Sequence, residues 1–369
     1  MRTRSLPRTP TILVTGGAGA VGRDVVAELH RREPSAEIIL LLRAASPLEL
    51  HRRMADLRHA CRPARLTALR GDVTLPDLGL AAAVRDGVAA RVTHVIHGAA
   101  CIDLAQTDES AQRVNVGGTR EVLRFARRCP RLRRLAHVST AYVAGDRSGV
   151  IREDELDAGQ SFRNAYERSK RDAERCIRAA ARELPVLVFR PGIVVGRDSA
   201  LDRPLRAILG GRLRVTEEHA RTRLDVVPVD RVARAIVELT LGEARPGTTY
   251  HVTGGRAGAV TIRDLVAAAG GRLVTQPDAA PRDPSGFDVF LRYLIGDGDF
   301  DRANLRRDLG EDRIAPAPRE RLAAAIVAHA LAGRPAAVRM GARSGNPRSR
   351  IDTPADSRPA PSAVDRFGL

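Results

Sequence analysis

The 369-residue chain has no tryptophan, four tyrosines and seven phenylalanines, so aromatic residues make up only 3% of it. Few flat side chains leave little on which nucleic-acid bases can stack. Its four cysteines, Cys61, Cys101, Cys129 and Cys176, lie far apart. They form neither the Cys-x-x-Cys spacing of a zinc site nor the density of a secreted disulfide framework, and inert thiols are expected. No apolar run reaches the roughly 18 to 20 residues that cross a bilayer. The arginines of residues 1–10 are followed by no hydrophobic signal core, so a soluble, cytoplasmic protein with no membrane span is the expectation. Lysine is almost missing: of 61 basic residues all but Lys170 are arginine.

The net charge of +17 would suit a polyanion-binding surface. The arginines, however, are spread along the whole chain, and with Ala, Gly and Pro also plentiful they match the usage of a GC-rich genome. A nucleic-acid partner is therefore not expected. The scarcity of lysine has a sharper meaning. If arginine has replaced it wherever a generic cation suffices, the survivor marks a position where a planar, permanently charged guanidinium does not serve. Lys170 becomes the first candidate for chemistry.

With 43% hydrophobic residues the chain can fill one or two packed domains. Short β-branched and leucine-rich runs at 11–15, 38–42, 66–69, 92–97, 135–139 and 186–190 alternate with helical stretches at 22–31, 48–59, 80–89, 109–127 and 164–183. This alternation predicts an α/β fold, a doubly wound parallel (Rossmann) sheet with crossover helices. After Pro191 the pattern turns irregular, with helices at 204–209, 231–241, 262–269 and 319–332 and a strand at 249–252. It reads as a smaller C-terminal substrate lobe that partly returns to the sheet. The expected division is an extension over 1–10, a dinucleotide-binding domain over 11–200, the lobe over 201–333 and a disordered tail over 334–369. In such sheets ligands sit beyond the carboxyl ends of the strands, so the residues after 15, 42, 97 and 139 should converge on one crevice.

The first of those junctions reads Thr15-Gly16-Gly17-Ala18-Gly19-Ala20-Val21-Gly22. Glycines between a strand and a helix allow a tight turn and close backbone approach, so that amides and the positive helix end can hold a pyrophosphate. The spacing fits Gly17, Gly19, Gly22 or Gly16, Gly19, Gly22. A site that prefers NAD usually has an acid about 20 residues on, for the ribose hydroxyls. Here no acid lies between Ile38 and Pro47, and Arg43 closes the second strand. Arg43 is placed to hold a 2′-phosphate, which favours NADPH and makes NAD the less expected cofactor. After the third strand, Gly71-Asp72-Val73 offers either an Asp side chain and an amide for an adenine or a plain turn.

Tyr166 and Lys170, four apart in a helical stretch, share one face. A free phenol has a pKa of about 10, and a neighbouring ammonium is expected to bring it into working range. Chance would place the lone lysine four residues after one of four tyrosines in only about one case in a hundred. The fifth strand ends His137-Val138-Ser139-Thr140, delivering a hydroxyl, from Thr140 or alternatively Ser139, that could hold a substrate carbonyl against Tyr166.

On these residues the sequence resembles an extended short-chain dehydrogenase/reductase, closest to the thioester-reductase and fatty-acyl-CoA-reductase branch. The resemblance also runs through His97-Gly98-Ala99-Ala100, Asn115-Val116-Gly117-Gly118-Thr119, Arg190-Pro191-Gly192-Ile193 and Asp225-Val226-Val227-Pro228, within residues 11–240. It implies a catalytic set of Thr140, Tyr166 and Lys170, with Asn115 fixing the active-site helix. It implies also that Gly16, Gly19, Ala20, Val21 and Gly22 hold the pyrophosphate, with Arg43, Asp72 and Val73 on the adenosine half. Ala99 would pack on the ribose, and Pro191, Gly192 and Ile193 would line the nicotinamide pocket. No adenylation or carrier domain is present in the sequence, and nothing after Ala244 matches the branch's substrate lobe.

The reading is an NADPH-dependent oxidoreductase that transfers hydride to a carbonyl or thioester carbon, with Tyr166 as proton donor and a small-molecule or acyl-thioester substrate. A nucleotide-sugar epimerase or dehydratase with tightly bound NAD is the alternative, opposed by the missing acid. A non-catalytic NADP-sensing or RNA-binding protein is a third, opposed by the intact Thr, Tyr and Lys. A homodimer paired through the long helices 109–127 and 164–183 is a candidate assembly.

Overall fold

The computed structural model describes residues 9–61, 65–196, 199–276, 290, 292 and 298–332. The expected tail from Arg334 lies outside them, as do residues 1–8 of the expected extension. Seven parallel strands form the main sheet: β1 (Thr11–Thr15), β2 (Glu37–Leu42), β3 (Leu66–Arg70), β4 (His94–His97), β5 (Arg134–Val138), β6 (Val186–Pro191) and β7 (Thr249–Val252). Their order is β7-β6-β5-β4-β1-β2-β3, the doubly wound pattern whose direction reverses between β1 and β4. All residues of β1, β4, β6 and β7 are buried. Both faces are covered by helices, which is why these strands read as nearly continuous apolar runs.

Alternation along the strands divides the core. Ile12, Val14, Leu40, Ala136, Leu187 and Phe189 face one way, under α1 (Ala20–Arg32), α2 (Pro47–Cys61) and a later helix, Val229–Leu241. Leu13, Ile39, Val95, Leu135, Val186 and Val188 face the other. There they meet α3 (Ala82–Ala89), α4 (Gly118–Arg127) and α5 (Ala165–Ala180). A third cluster fills the C-terminal lobe between α6 (Asp202–Leu209), α8 (Ile262–Ala268) and α9 (Arg319–Ala332), the helix Val229–Leu241 being α7. Among the described residues no helix is long and apolar enough to cross a membrane.

Three boundaries differ from the sequence reading in ways that matter. β5 stops at Val138, so Ser139 and Thr140 stand in the loop beyond it. β4 starts at His94 rather than at residue 92. The helix expected over 109–127 is not continuous: a short turn, Asp108–Ala111, passes through a π-helical segment, Gln112–Gly117, before α4 begins. Such wide turns are tolerated where side chains or neighbours compensate the distorted ladder. Here Gly118 lies so close to Val73 that a β-carbon would sit 2.9 Å from its Cγ2, and Asn115 inside the wide turn is pinned by three hydrogen bonds.

Candidate active site

The loop from β1 to α1 is shaped by steric necessity. Gly16 has φ +74°, and a β-carbon there would stand 2.5 Å from the carbonyl carbon of Gly98. The Gly19 amide closes the turn on the Gly16 oxygen at 3.0 Å. At Gly22 a β-carbon would lie 2.1 Å from that same oxygen, whereas at Gly17 it would meet only the flexible end of Leu40. The fold therefore demands glycine at 16 and 22. No side chain caps α1 at Gly19, and Ala20, Val21 and Gly22 line a cleft of about 250 Å³. Uncapped amides at a helix start suit the pyrophosphate of a dinucleotide.

The same cleft is lined by Thr140, Tyr166, Lys170, Pro191, Gly192 and Ile193. Asn164 caps α5 by accepting from the Glu167 amide at 3.0 Å, so the first turn presents Tyr166 and, one turn on, Lys170. Thr140 stands against the Tyr166 phenol, near enough to pull its pKa down. Ser139, by contrast, donates to Glu174 at 2.9 Å, so of the two hydroxyls considered it is Thr140 that meets the phenol. The buried Lys170 ammonium donates to the Val138 carbonyl at 2.7 Å. Burial pulls its pKa down to about 8 while Glu174 pulls it up.

The expected depression of the phenol is not found. Burial pushes Tyr166 up to about 12, against the pull of Thr140, and Glu167 adds to the rise. The ammonium spends one of its protons on Val138 instead, and the phenol keeps its own at neutral pH. Asn115, expected to fix the active-site helix, donates its amide to Ser169 Oγ on α5 at 2.8 Å and brackets the Cys101 backbone from both sides.

Four residues expected on the cofactor do not line this 250 Å³ part of the crevice. Arg43 is exposed at the end of β2, where its charge acts on Glu49. Asp72 spends one carboxylate oxygen on the amide and hydroxyl of Thr74, both at 2.8 Å, and its own amide on the Leu78 carbonyl. These bonds shape a turn, and the following residue, Val73, is buried against Gly118. Ala99 does not face the cleft. Its amide donates to Thr15 Oγ1 at 3.2 Å and its side chain packs on the core under α4 and α5, leaving Gly98 and Ala100 as the wall.

Of the buried polar residues beneath α5, the sequence reading gave His97, Thr119 and Arg190 only as members of motifs and passed over Glu174. One chain of hydrogen bonds has a fixed direction. Thr119 donates to the Asn115 carbonyl at 2.6 Å and so accepts from His97 Nε2 at 3.1 Å. His97 Nδ1 then accepts from Thr15 Oγ1 at 2.8 Å, making His97 the neutral Nε2–H tautomer. A second network centres on Glu174 and Arg190, which are paired at 2.6 Å with no solvent exposure to speak of. The signal in the sequence was slight: Glu174 follows Lys170 by four residues, on the same helix face.

The sequence pattern of the Male sterility protein family matches residues 14–236. Fatty acyl-CoA reductase wat of Drosophila melanogaster is 28% identical over 276 residues, covering 61% of this chain and 53% of that protein. The L-2-aminoadipate reductase large subunit of Penicillium chrysogenum is 27% identical over 285 residues, covering 68% of this chain and 20% of that one. The chain thus spans about half the length of the first relative and a fifth of the second. Among solved structures, the terminal R domain from the myxalamid PKS-NRPS biosynthetic pathway superposes with a TM-score of 0.76 at 27% identity, over 89% of this chain and 92% of that one. MoeE5 in complex with UDP-glucuronic acid and NAD has a TM-score of 0.64 at 22% identity, over 87% and 99%.

Proposed function

Since the chain belongs to the Male sterility protein family, within the extended short-chain dehydrogenase/reductases, we propose that it is a cytoplasmic NADPH-dependent reductase acting on an acyl thioester. The observation that carries this reading is the meeting of Thr140, Tyr166 and Lys170 in a mostly apolar cleft beside the glycine cradle. NADPH, when bound across Gly16, Gly19 and Gly22, supplies the hydride to the carbonyl carbon. Thr140 orients the carbonyl oxygen, and Tyr166, still protonated at neutral pH, donates its proton to that oxygen as negative charge develops. For a thioester the resulting hemithioacetal collapses to an aldehyde and a free thiol. Lys170 returns a proton to the phenol. Val194, Leu201 and Phe290 on the cleft wall are suited to the apolar acyl group, and we read residues 201–333 as the lobe that holds it.

The test is to follow NADPH and NADH absorbance with acyl-CoAs of graded length alongside aldehydes, ketones and UDP-sugars. Oxidation of NADPH coupled to thiol release is expected with an acyl-CoA. Turnover of a UDP-sugar by protein that retains NAD through purification would replace the reading with an epimerase. Arg43→Ala is expected to raise the KM for NADPH roughly 10- to 100-fold, the loss of a charge-assisted phosphate contact, and to leave the KM for NADH unchanged. Equal effects on both would place the 2′-phosphate elsewhere.

A further inference from the structure

Glu174 is fully buried, and it joins three chain segments that each end in a residue of the cleft. One oxygen accepts from Ser139, the neighbour of Thr140, at 2.9 Å. Both oxygens accept from Arg190, the neighbour of Pro191, at 2.6 to 3.2 Å. Its own helix carries Lys170 one turn earlier. Arg190 spends its remaining protons on the carbonyls of Glu153 and Glu155 and on His251 Nε2. The carboxylate therefore sits at the junction of the ends of β5 and β6 and the middle of α5.

We propose that Glu174 is the positioning residue of the proton machinery: it sets Thr140 and Pro191 in register with Tyr166 and supplies the countercharge that keeps the buried Lys170 protonated. The inference rests on the reading of Tyr166 and Lys170 as that machinery. A hydrophobic surrounding favours the neutral amine, and only a nearby anion opposes it. Of the titratable groups around Lys170, His97 on β4 and His137 on β5 are buried and neutral, each held there by burial and by the ammonium itself. Tyr166 keeps its proton. Arg190 on β6 and Arg178 on α5 are cations that contact Glu174 directly. Glu174 is the anion that acts on the ammonium.

The solitary lysine makes a direct test available. Protein grown with lysine labelled with ¹³C at Cε carries one labelled residue, and the shift of its signal with pH reads the titration of Lys170 without any turnover. Glu174→Gln keeps the shape of the side chain and the Ser139 contact. It is expected to lower the titration midpoint by about one pH unit or more. In activity it is expected to move the alkaline limb of kcat by the same amount and reduce kcat roughly tenfold, with little change in the KM for NADPH. If Glu174→Gln does not fold, Glu174→Asp keeps the charge and withdraws it by one methylene, and the midpoint should fall part-way. An unmoved midpoint in a folded variant overturns the inference even if the protein proves to be a reductase. Failure to reduce any thioester would overturn the reductase reading and leave the lysine titration standing.

Discussion

Tyr166→Phe is expected to lower kcat about a thousandfold while leaving the affinity for NADPH within about twofold, since positioned proton transfer contributes roughly 10²- to 10⁴-fold and binding does not draw on it. The phenol lies against Thr140, and burial raises its pKa to about 12. It is therefore a donor over the whole neutral range, and Phe removes the donor without altering the glycine cradle or the Pro191 to Ile193 wall. Stopped-flow reduction with quenching of NADPH fluorescence separates the two quantities. An unchanged kcat would show that the proton arrives from elsewhere. The alkaline limb of the pH–rate profile should follow Lys170, whose pKa burial brings down to about 8, rather than the phenol. Its apparent value belongs to the coupled pair. An alkaline limb above pH 10 would mean that the ammonium is not part of the relay.

Sequence and structure agree where local chemistry decides. Gly22 is fixed by the oxygen of Gly16, a near neighbour in the chain, and Gly16 by its own positive φ, while Tyr166 and Lys170 are set by the pitch of one helix. Central parallel strands advertise themselves as apolar runs because both their faces are covered. What stayed illegible depends on residues far apart. The pairing of Glu174 with Ser139 and Arg190 spans 35 and 16 positions, and nothing in either segment alone marks it. Asn115 was identified by resemblance, but the wide helical turn that presents it depends on Val73 packing against Gly118 across the fold. Ala99 was misplaced for a related reason. Its direction follows from the amide's bond to Thr15 on the neighbouring strand, a contact that a motif does not contain.

The polar residues beneath α5 also fix how the fold responds to acid. His94, His97, His137, His219 and His251 are buried. Burial lowers His94 to about 4 and His97 and His251 to about 3, and it pushes His137 and His219 in the same direction. Below their ordinary value of about 6.5 the unfolded chain therefore binds protons that the folded one does not, and stability falls as pH falls. Two buried carboxyls act in the opposite sense. Burial raises Glu153 to about 7 and Asp225 to about 6, so each is protonated first in the folded chain and adds stability as pH drops through those values. Five histidines outweigh two carboxyls. The net loss of unfolding free energy between pH 6.5 and pH 4.5 is expected to be on the order of a few kcal/mol, a large part of what holds an ordinary domain folded. Urea unfolding between pH 4.5 and 7.5 measures it directly. Stability that held constant or rose on acidification would mean that the histidines are charged in the native state. His137→Leu separates the causes, because neither ring nitrogen of His137 has a protein hydrogen-bond partner among the described residues. Its replacement should make the acid slope shallower without breaking a bond.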